Sequence, residues 1–214
     1  MQQVLFCISS KTPNLNLYTC IGNLYKSQIT NDFIYKICIV DSDSETFYEY
    51  DKVKRDFPDV EILYAKNKNY EFGAYKYAYN TYPNYDIYIC IQDTIIFHKK
   101  IDLSVINDKT VYTIHNFSGY YSEWPAKPKG IEMLRLSGLA FEHLIDTEFC
   151  LAMCNSYIVS NNVLSNLLDT FQYPPENKLD ACMFERNVGL YFTIKEIYSH
   201  NLEPYVIKII SGRQ

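Results

Sequence analysis

The sequence predicts an α/β fold, a three-layer αβα sandwich built around a mainly parallel sheet. Two observations point there. Through the first hundred residues, short apolar runs alternate with segments whose apolar residues recur every three or four positions. Strands separated by helices of this length form βαβ units. The composition, 48% hydrophobic and 21% charged over 214 residues, supplies enough apolar material to cover both faces of such a sheet. At about 100–200 residues per domain, the chain reads as a single domain spanning 1–214.

Val4–Ser9 (VLFCIS) is the first strand, stopped by a turn over Lys11–Asn14. Leu15–Ser27 follows with Leu17, Cys20, Ile21 and Leu24 at helical spacing. Phe33–Val40 (FIYKICIV) is a second buried strand ending at Asp41. Ser44, then Glu45 and a charged run to Arg55, predicts a capped surface helix. Val60–Ala65 reads as the third strand, Glu71–Tyr82 as the third helix and Tyr85–Ile91 (YDIYICI) as the fourth strand. The second half is less regular. Thr110–His115 reads as a strand, Asn116–Gly130 as a long loop, and Thr147–Val159 as one or two strands. Asn161–Phe171 and Leu179–Phe192 read as helices parted by Pro174–Pro175, with Tyr205–Ile210 as a last strand.

Right-handed crossovers align the C-terminal ends of parallel strands along one edge, which is where such sheets bind ligands. Four polar groups fall there: Ser9–Ser10–Lys11, Asp41–Ser42–Asp43, Lys66–Asn69 and Gln92–Asp93–Thr94. The chain has seven glycines and contains no G-x-G-x-x-G, G-x-x-x-x-G-K-[ST] or G-x-S-x-G. Dinucleotide binding, phosphate cradling by a P-loop and α/β-hydrolase chemistry are therefore poorly supported. An acid-lined edge without a glycine cradle instead suits a nucleotide diphosphate bridged by Mg²⁺ or Mn²⁺.

Net charge is −5 and no Lys/Arg-rich block stands out, so no nucleic-acid partner is expected. The apolar runs are far shorter than the ~18 residues of a membrane span, and the N-terminus lacks a basic leader before its first apolar run. Seven cysteines, an odd number and mostly within apolar runs, read as buried reduced thiols of a cytoplasmic protein. The Cys150/Cys154 pair lacks the second pair that a structural zinc site needs. Twenty-one tyrosines, with abundant Asn, Ile and Lys, fit an AT-rich genome, bacterial or that of a large DNA virus.

Four segments carry a resemblance. Phe33–Ser44 (FIYKICIVDSDS) resembles the second strand and Asp-bearing turn of family-2-like GT-A glycosyltransferases. Asn69–Tyr77 (NYEFGAYKY) resembles their N-x-G helix, Tyr85–Phe97 (YDIYICIQDTIIF) their D-x-D strand and turn, and Leu179–Gly189 (LDACMFERNVG) their acidic acceptor-side helix. Order and spacing agree over residues 4–100. The resemblance implies a GT-A-like fold with a nucleotide-sugar-binding half (1–100) and an acceptor-binding half (101–214). It implies a nucleotide-diphosphate sugar donor, most simply a UDP-sugar, an oligosaccharide or glycan acceptor, and Mn²⁺ or Mg²⁺. It assigns Ser9, Lys11, Asp41, Asp43, Asn69, Gly73, Gln92 and Asp93 to the donor, Asp93 with His200 to the metal, and Glu185 or Asp180 to the base.

The chain also departs from the family pattern. The D-x-D position keeps only Asp93 as a carboxylate, and the helix keeps Gly73 and Ala74 without the later asparagine and glycine. Trp124 and Tyr120–Tyr121, in the long loop, could stack on a sugar ring, although a lone Trp is more often a packing anchor. His115 reads as a structural histidine, and Glu142, His143, Asp146 and Glu148 as a surface group. Two rivals share these features. A nucleotidyltransferase would carry a glycine- and Lys/Arg-rich first loop. A catalytically inactive carbohydrate-binding or scaffold domain would account for the incomplete D-x-D.

Overall fold

The computed structural model describes residues 2–26, 33–45, 47–66, 69–115, 118–120 and 127–209. The first half runs β1 (Gln2–Ser10), α1 (Leu15–Lys26), β2 (Phe33–Asp41), α2 (Tyr48–Asp56), β3 (Glu61–Tyr64), α3 (Tyr70–Thr81), β4 (Ile87–Gln92) and β5 (Ile95–Phe97). The second runs β6 (Thr110–Thr113), β7 (Ser118–Tyr120), α4 (Lys127–Leu136), β8 (Glu148–Cys150), β9 (Tyr157–Ser160), α5 (Asn161–Thr170), α6 (Lys178–Ile194), β10 (Tyr198–Asn201) and β11 (Val206–Lys208).

Seven of these strands form one sheet in the order β10-β6-β9-β4-β1-β2-β3. Within it β9 alone runs antiparallel to its neighbours, so the sheet is mainly parallel, as expected. Strand β1 lies inside the sheet between β4 and β2, and Val4 to Ile8 are fully buried. Val4, Phe6 and Ile8 pack with Leu17, Cys20 and Ile21 of α1, while Leu5 and Cys7 pack with Phe72, Ala74 and Tyr75 of α3. Burial on both faces is why the strand reads as an unbroken apolar run rather than an alternation. Each large side chain fully buried this way contributes about 1.5–3 kcal/mol. Helices α1 and α2 cover one face and α3 to α6 the other, which makes the three layers. No described helix is long and apolar enough to cross a membrane.

Strands from both halves of the chain share the sheet, since β6, β9 and β10 extend it beyond β4. Three elements differ from expectation. The expected loop 116–130 gives way at Lys127 to α4, whose Met133 and Leu134 bury in the core shared with α6; Pro128 sits in its first turn, where a missing N–H costs nothing. The polar stretch Tyr198–Asn201 is a parallel edge strand beside β6 rather than a connection. Helix α2 starts at Tyr48 with no side-chain cap, because Ser44 is drawn back to Asp41. The seven cysteines are free, and five of them are buried.

Helix α6 carries the largest share of the second core. Asn177 caps it by accepting the Asp180 N–H at 3.0 Å, and the Asp180 carboxylate accepts in return from the side-chain amide of Asn177 at 3.0 Å. The Asp180 carboxylate also accepts the Glu176 N–H at 3.3 Å, so the arrangement satisfies two backbone donors at the start of the helix. One face of the helix presses on the backbone leaving β8: a Cβ added at Gly189 would lie 2.3 Å from the Cys150 carbonyl oxygen.

Candidate functional site

The strand register sets the site. Ser10 of β1 lies opposite Asp41 of β2, and Ser9 opposite Gln92 of β4, so the polar residues that end three parallel strands stand side by side. The Asp93 N–H donates to the Ser9 carbonyl at 3.1 Å, and the Ser10 hydroxyl donates to Asp93 Oδ2 at 2.9 Å. Asp93 is 3% exposed. Beyond it β5 turns back and pairs antiparallel with β11. The Ile209 N–H donates to the Thr94 carbonyl at 2.8 Å, which ties the C-terminal segment to the turn after β4.

Between this edge and α6 lies a cavity of about 730 Å³, within the range of small-molecule sites. Ser9, Lys11, Gln92, Asp93 and Thr94 form its sheet side. Tyr70 and Glu71 enter from the start of α3, Lys178 and Glu185 from α6, and Glu203 and Lys208 from the C-terminal segment. Met153 and Cys154 add a tight turn, in which Cys154 and Asn155 hold φ of 59° and 45°. Left-handed backbone is uncommon for residues other than glycine, and here it carries the chain from β8 into β9.

The carboxylates of the cavity are not equivalent. Glu71 Oε1 accepts from the Gln92 amide at 2.6 Å. Glu185 is pushed up to about 7, first by burial and then by the charge of Glu71; Lys178, Lys208 and the Cys154 backbone N–H pull it partly back. A carboxyl that titrates near neutrality in a cleft is a candidate acid or base. Lys208 Nζ lies 2.7 Å from Cys154 Sγ, and burial pushes that thiol up, so it is neutral at pH 7.

Of the residues expected at the site, Ser9, Lys11, Gln92, Asp93 and Glu185 line this one cavity. Asp41 sits at the strand edge, but its carboxylate accepts from the Ser44 N–H at 3.1 Å, the Ser44 hydroxyl and the Tyr50 hydroxyl at 2.6 Å; its neighbour Ser42 faces the cavity. Asp43 is exposed at φ 64°. Asn69 precedes α3 and accepts the Gly73 N–H through its carbonyl, and Gly73 is buried, while Tyr70 and Glu71 between them reach the cavity. Asp180 is committed to the cap of α6. His200 lies on β10 with its ring against Tyr112 and Tyr198. Three strand spacings separate β10 from β4, roughly 14 Å at about 4.8 Å each, so His200 and Asp93 are not brought together.

His115 Nε2 is 2.9 Å from Ser199 Oγ, and burial holds its ring below the usual imidazole range, in keeping with a structural histidine. Glu142, His143, Asp146 and Glu148 are exposed. Tyr120 ends β7, whereas Tyr121 and Trp124 lie outside the described residues. Glu71, Lys178 and Lys208 are cavity residues that the sequence did not single out, and Cys154 stands out in the sequence only as half of the Cys150/Cys154 pair; Glu71 does fall inside the NYEFGAYKY segment.

The Asp41 network makes a stability prediction. Tyr50→Phe removes one donor from a carboxylate that is 2% exposed, and the variant is expected to lose about 1–3 kcal/mol. Urea unfolding checks this as a lower midpoint at unchanged slope; an unmoved midpoint would show that Ser44 alone satisfies Asp41.

No protein-family model matches the chain, and no curated protein sequence is similar to it. Solved structures do resemble it. GalNAc-T7 with UDP, GalNAc and Mn²⁺ superposes with a TM-score of 0.53 and 8% identity over 77% of this chain and 36% of that one. A mannosyltransferase, PcManGT from Pyrobaculum calidifontis in complex with GDP-Man and Mn²⁺, gives 0.45 and 10% over 53% and 35%. The chain thus spans about a third of the length of these structures. The likeness is one of fold: a mixed α/β, GT-A-like architecture around a mainly parallel seven-stranded sheet.

Proposed function

We propose that the protein is a glycosyltransferase that moves a sugar from a nucleotide diphosphate, read from the motif resemblance as a UDP-sugar, to a hydroxyl of a glycan acceptor. The observation that carries this reading is that Asp93, at the end of β4, and Glu185, on α6, line one cavity at the carboxyl edge of a GT-A-like sheet. In this account Ser9, Lys11 and Asp93 hold the donor at the sheet edge. Asp93 accepts hydroxyl hydrogens of the ribose or the sugar. Glu185, across the cavity, takes the proton of the acceptor hydroxyl. The new bond forms between the acceptor oxygen and the anomeric carbon. The bond from that carbon to the diphosphate oxygen breaks, and its electron pair stays on the leaving group. With a base in that role, a single displacement inverts the anomeric centre.

The resemblance implies Mn²⁺ or Mg²⁺ at Asp93 and His200, and the described residues do not fit it. Asp93 has no second carboxylate at the D-x-D position, one of its oxygens accepts the Ser10 hydroxyl, and His200 is three strands away. Among the described residues no group of three His, Cys, Asp or Glu side chains could hold a metal ion.

The direct test is release of nucleoside diphosphate from UDP-, GDP-, CDP- and ADP-sugars offered one at a time with mixed oligosaccharide acceptors. The reading expects one base to dominate. Pyrophosphate release from a nucleoside triphosphate and a sugar phosphate would instead show a nucleotidyltransferase. Sugar binding without nucleotide turnover would show an inactive binding domain.

The pH dependence follows from the charges around Glu185. A base must be deprotonated, so kcat/KM is expected to rise with pH through an apparent value of about 7 and to level off above it. Glu71→Gln keeps a partner for Gln92 but removes the neighbouring charge, so the rise should move to lower pH. A profile unmoved by that change would contradict the assignment of Glu185.

A further inference from the structure

We infer that Lys208 and Lys178 bind the anionic diphosphate end of the ligand directly, in the position where a divalent ion would otherwise carry the charge; this rests on the glycosyltransferase reading of the cavity. Three observations support it. Both side chains line the cavity that Asp93 closes from the other side. Lys208 is held close to Asp93 by the chain itself: β11 pairs with β5 so that Lys208 lies opposite Ile95, and the next residue donates to the Thr94 carbonyl at 2.8 Å. A ligand seated at Asp93 is therefore within the span of one lysine side chain.

The second observation concerns charge. Among the described residues neither Lys178 nor Lys208 lies within ion-pair distance of a carboxylate, although both feel the charge of Glu185. The close neighbour of Lys208 is Cys154, a thiol that burial keeps neutral. The carboxylates on the far wall have donors of their own: Gln92 bonds Glu71, and Ser10 bonds Asp93. Lys208 thus donates only to a neutral thiol and Lys178 makes no ion pair, so an oxyanion entering the cavity would form short charge-assisted hydrogen bonds with both ammonium groups.

The third is the D-x-D position, Ile91–Gln92–Asp93 or Gln92–Asp93–Thr94, where Asp93 is the one carboxylate and Gln92 spends its amide on Glu71. Without substrate phosphates and a further ligand, a single carboxylate at the strand end holds Mg²⁺ or Mn²⁺ weakly. A fixed ammonium beside the bridging and terminal phosphate oxygens stabilises the charge that develops as the diphosphate departs. Lysine does this as a point charge that requires no second ligand.

Calorimetry with two probes, inorganic pyrophosphate and the nucleoside diphosphates UDP, GDP, CDP and ADP, tests the proposal. Each is titrated into the purified chain in EDTA and again in Mn²⁺. The proposal expects pyrophosphate and one nucleoside diphosphate to bind in EDTA. Lys208→Gln and Lys178→Gln should each weaken both ligands roughly 10- to 100-fold, the loss of a hydrogen bond to a charged group, with the corresponding monophosphate less affected. Both lysines are exposed, so unchanged melting temperatures verify that the variants fold. Binding that appears only with Mn²⁺, or that neither substitution weakens, would overturn the lysine assignment while leaving the transferase reading intact. Pyrophosphate binding that depends on Lys208, with no nucleotide bound, would keep the lysine site and remove the donor reading. Absence of binding by every probe in both buffers would overturn both.

Discussion

Glu185→Gln is expected to lower kcat by roughly 10²- to 10⁴-fold, the usual contribution of a positioned base, with little change in the KM for the donor. The substitution keeps the shape of the side chain and removes only its capacity to take a proton. The same group makes a prediction about stability, with the opposite pH trend. Its folded value of about 7 lies above the ordinary 4.5, so between the two the native state holds more proton than the unfolded one. Stability must therefore fall as pH rises through that window and level off above it. Urea midpoints of the wild type should decline, relative to Glu185→Gln, from about pH 4.5 to about pH 7. Full turnover in the variant, or parallel stability curves, would remove Glu185 from the mechanism.

Gly189→Ala is the largest expected change in stability. The added Cβ would lie 2.3 Å from the Cys150 carbonyl oxygen and 3.2 Å from the Cys150 carbonyl carbon and Leu151 Cα, all of them backbone. Alanine gains up to about 1 kcal/mol over glycine in a helix interior, but overpacking costs about 1–3 kcal/mol and occasionally more, and a backbone contact this short places the clash at the upper end, so the clash decides the sign. Because Glu185 lies one turn earlier on the same helix, any displacement of α6 that relieves the clash also shifts the proposed base, and turnover should fall as well. Gly22 in α1 is the control: a Cβ there meets only the Phe57 ring, at 3.5 Å, so Gly22→Ala should be neutral or stabilising. Equal urea midpoints for the two variants would show that α6 does not press on the exit of β8.

The first half of the fold was legible because central parallel strands are written as continuous apolar runs. VLFCIS and FIYKICIV could be located without knowing what they pair with, and the helix between them shows its buried face at Leu17, Cys20, Ile21 and Leu24. The strand-end rule then put Ser9, Lys11, Gln92 and Asp93 in one place, and the cavity holds all four. The same rule could not foresee that Asp41, at an equivalent position, is held by Ser44 and by Tyr50 from the next helix. Asp180 and Glu185 share a helix, yet one lies in its first turn, where carboxylates serve the cap, and the other faces the cavity. Strand β10 escaped notice because Tyr-Ser-His-Asn is short and polar; a partner on one side alone, β6, suffices to define it. Lys208 carried no local signal, since its place depends on β11 pairing with β5 more than a hundred residues earlier.

The most direct test of the central claim, that the cavity at Asp93 receives a nucleoside diphosphate, is the melting temperature of the purified chain with UDP, GDP, CDP and ADP, each beside its monophosphate. A ligand at ~100 times its Kd stabilises the native state by about 2.7 kcal/mol, roughly 5–10 °C for a domain of this size. The account predicts a rise of that order for one of the four diphosphates and a smaller rise for its monophosphate. Identical melting curves with all eight nucleotides would contradict it.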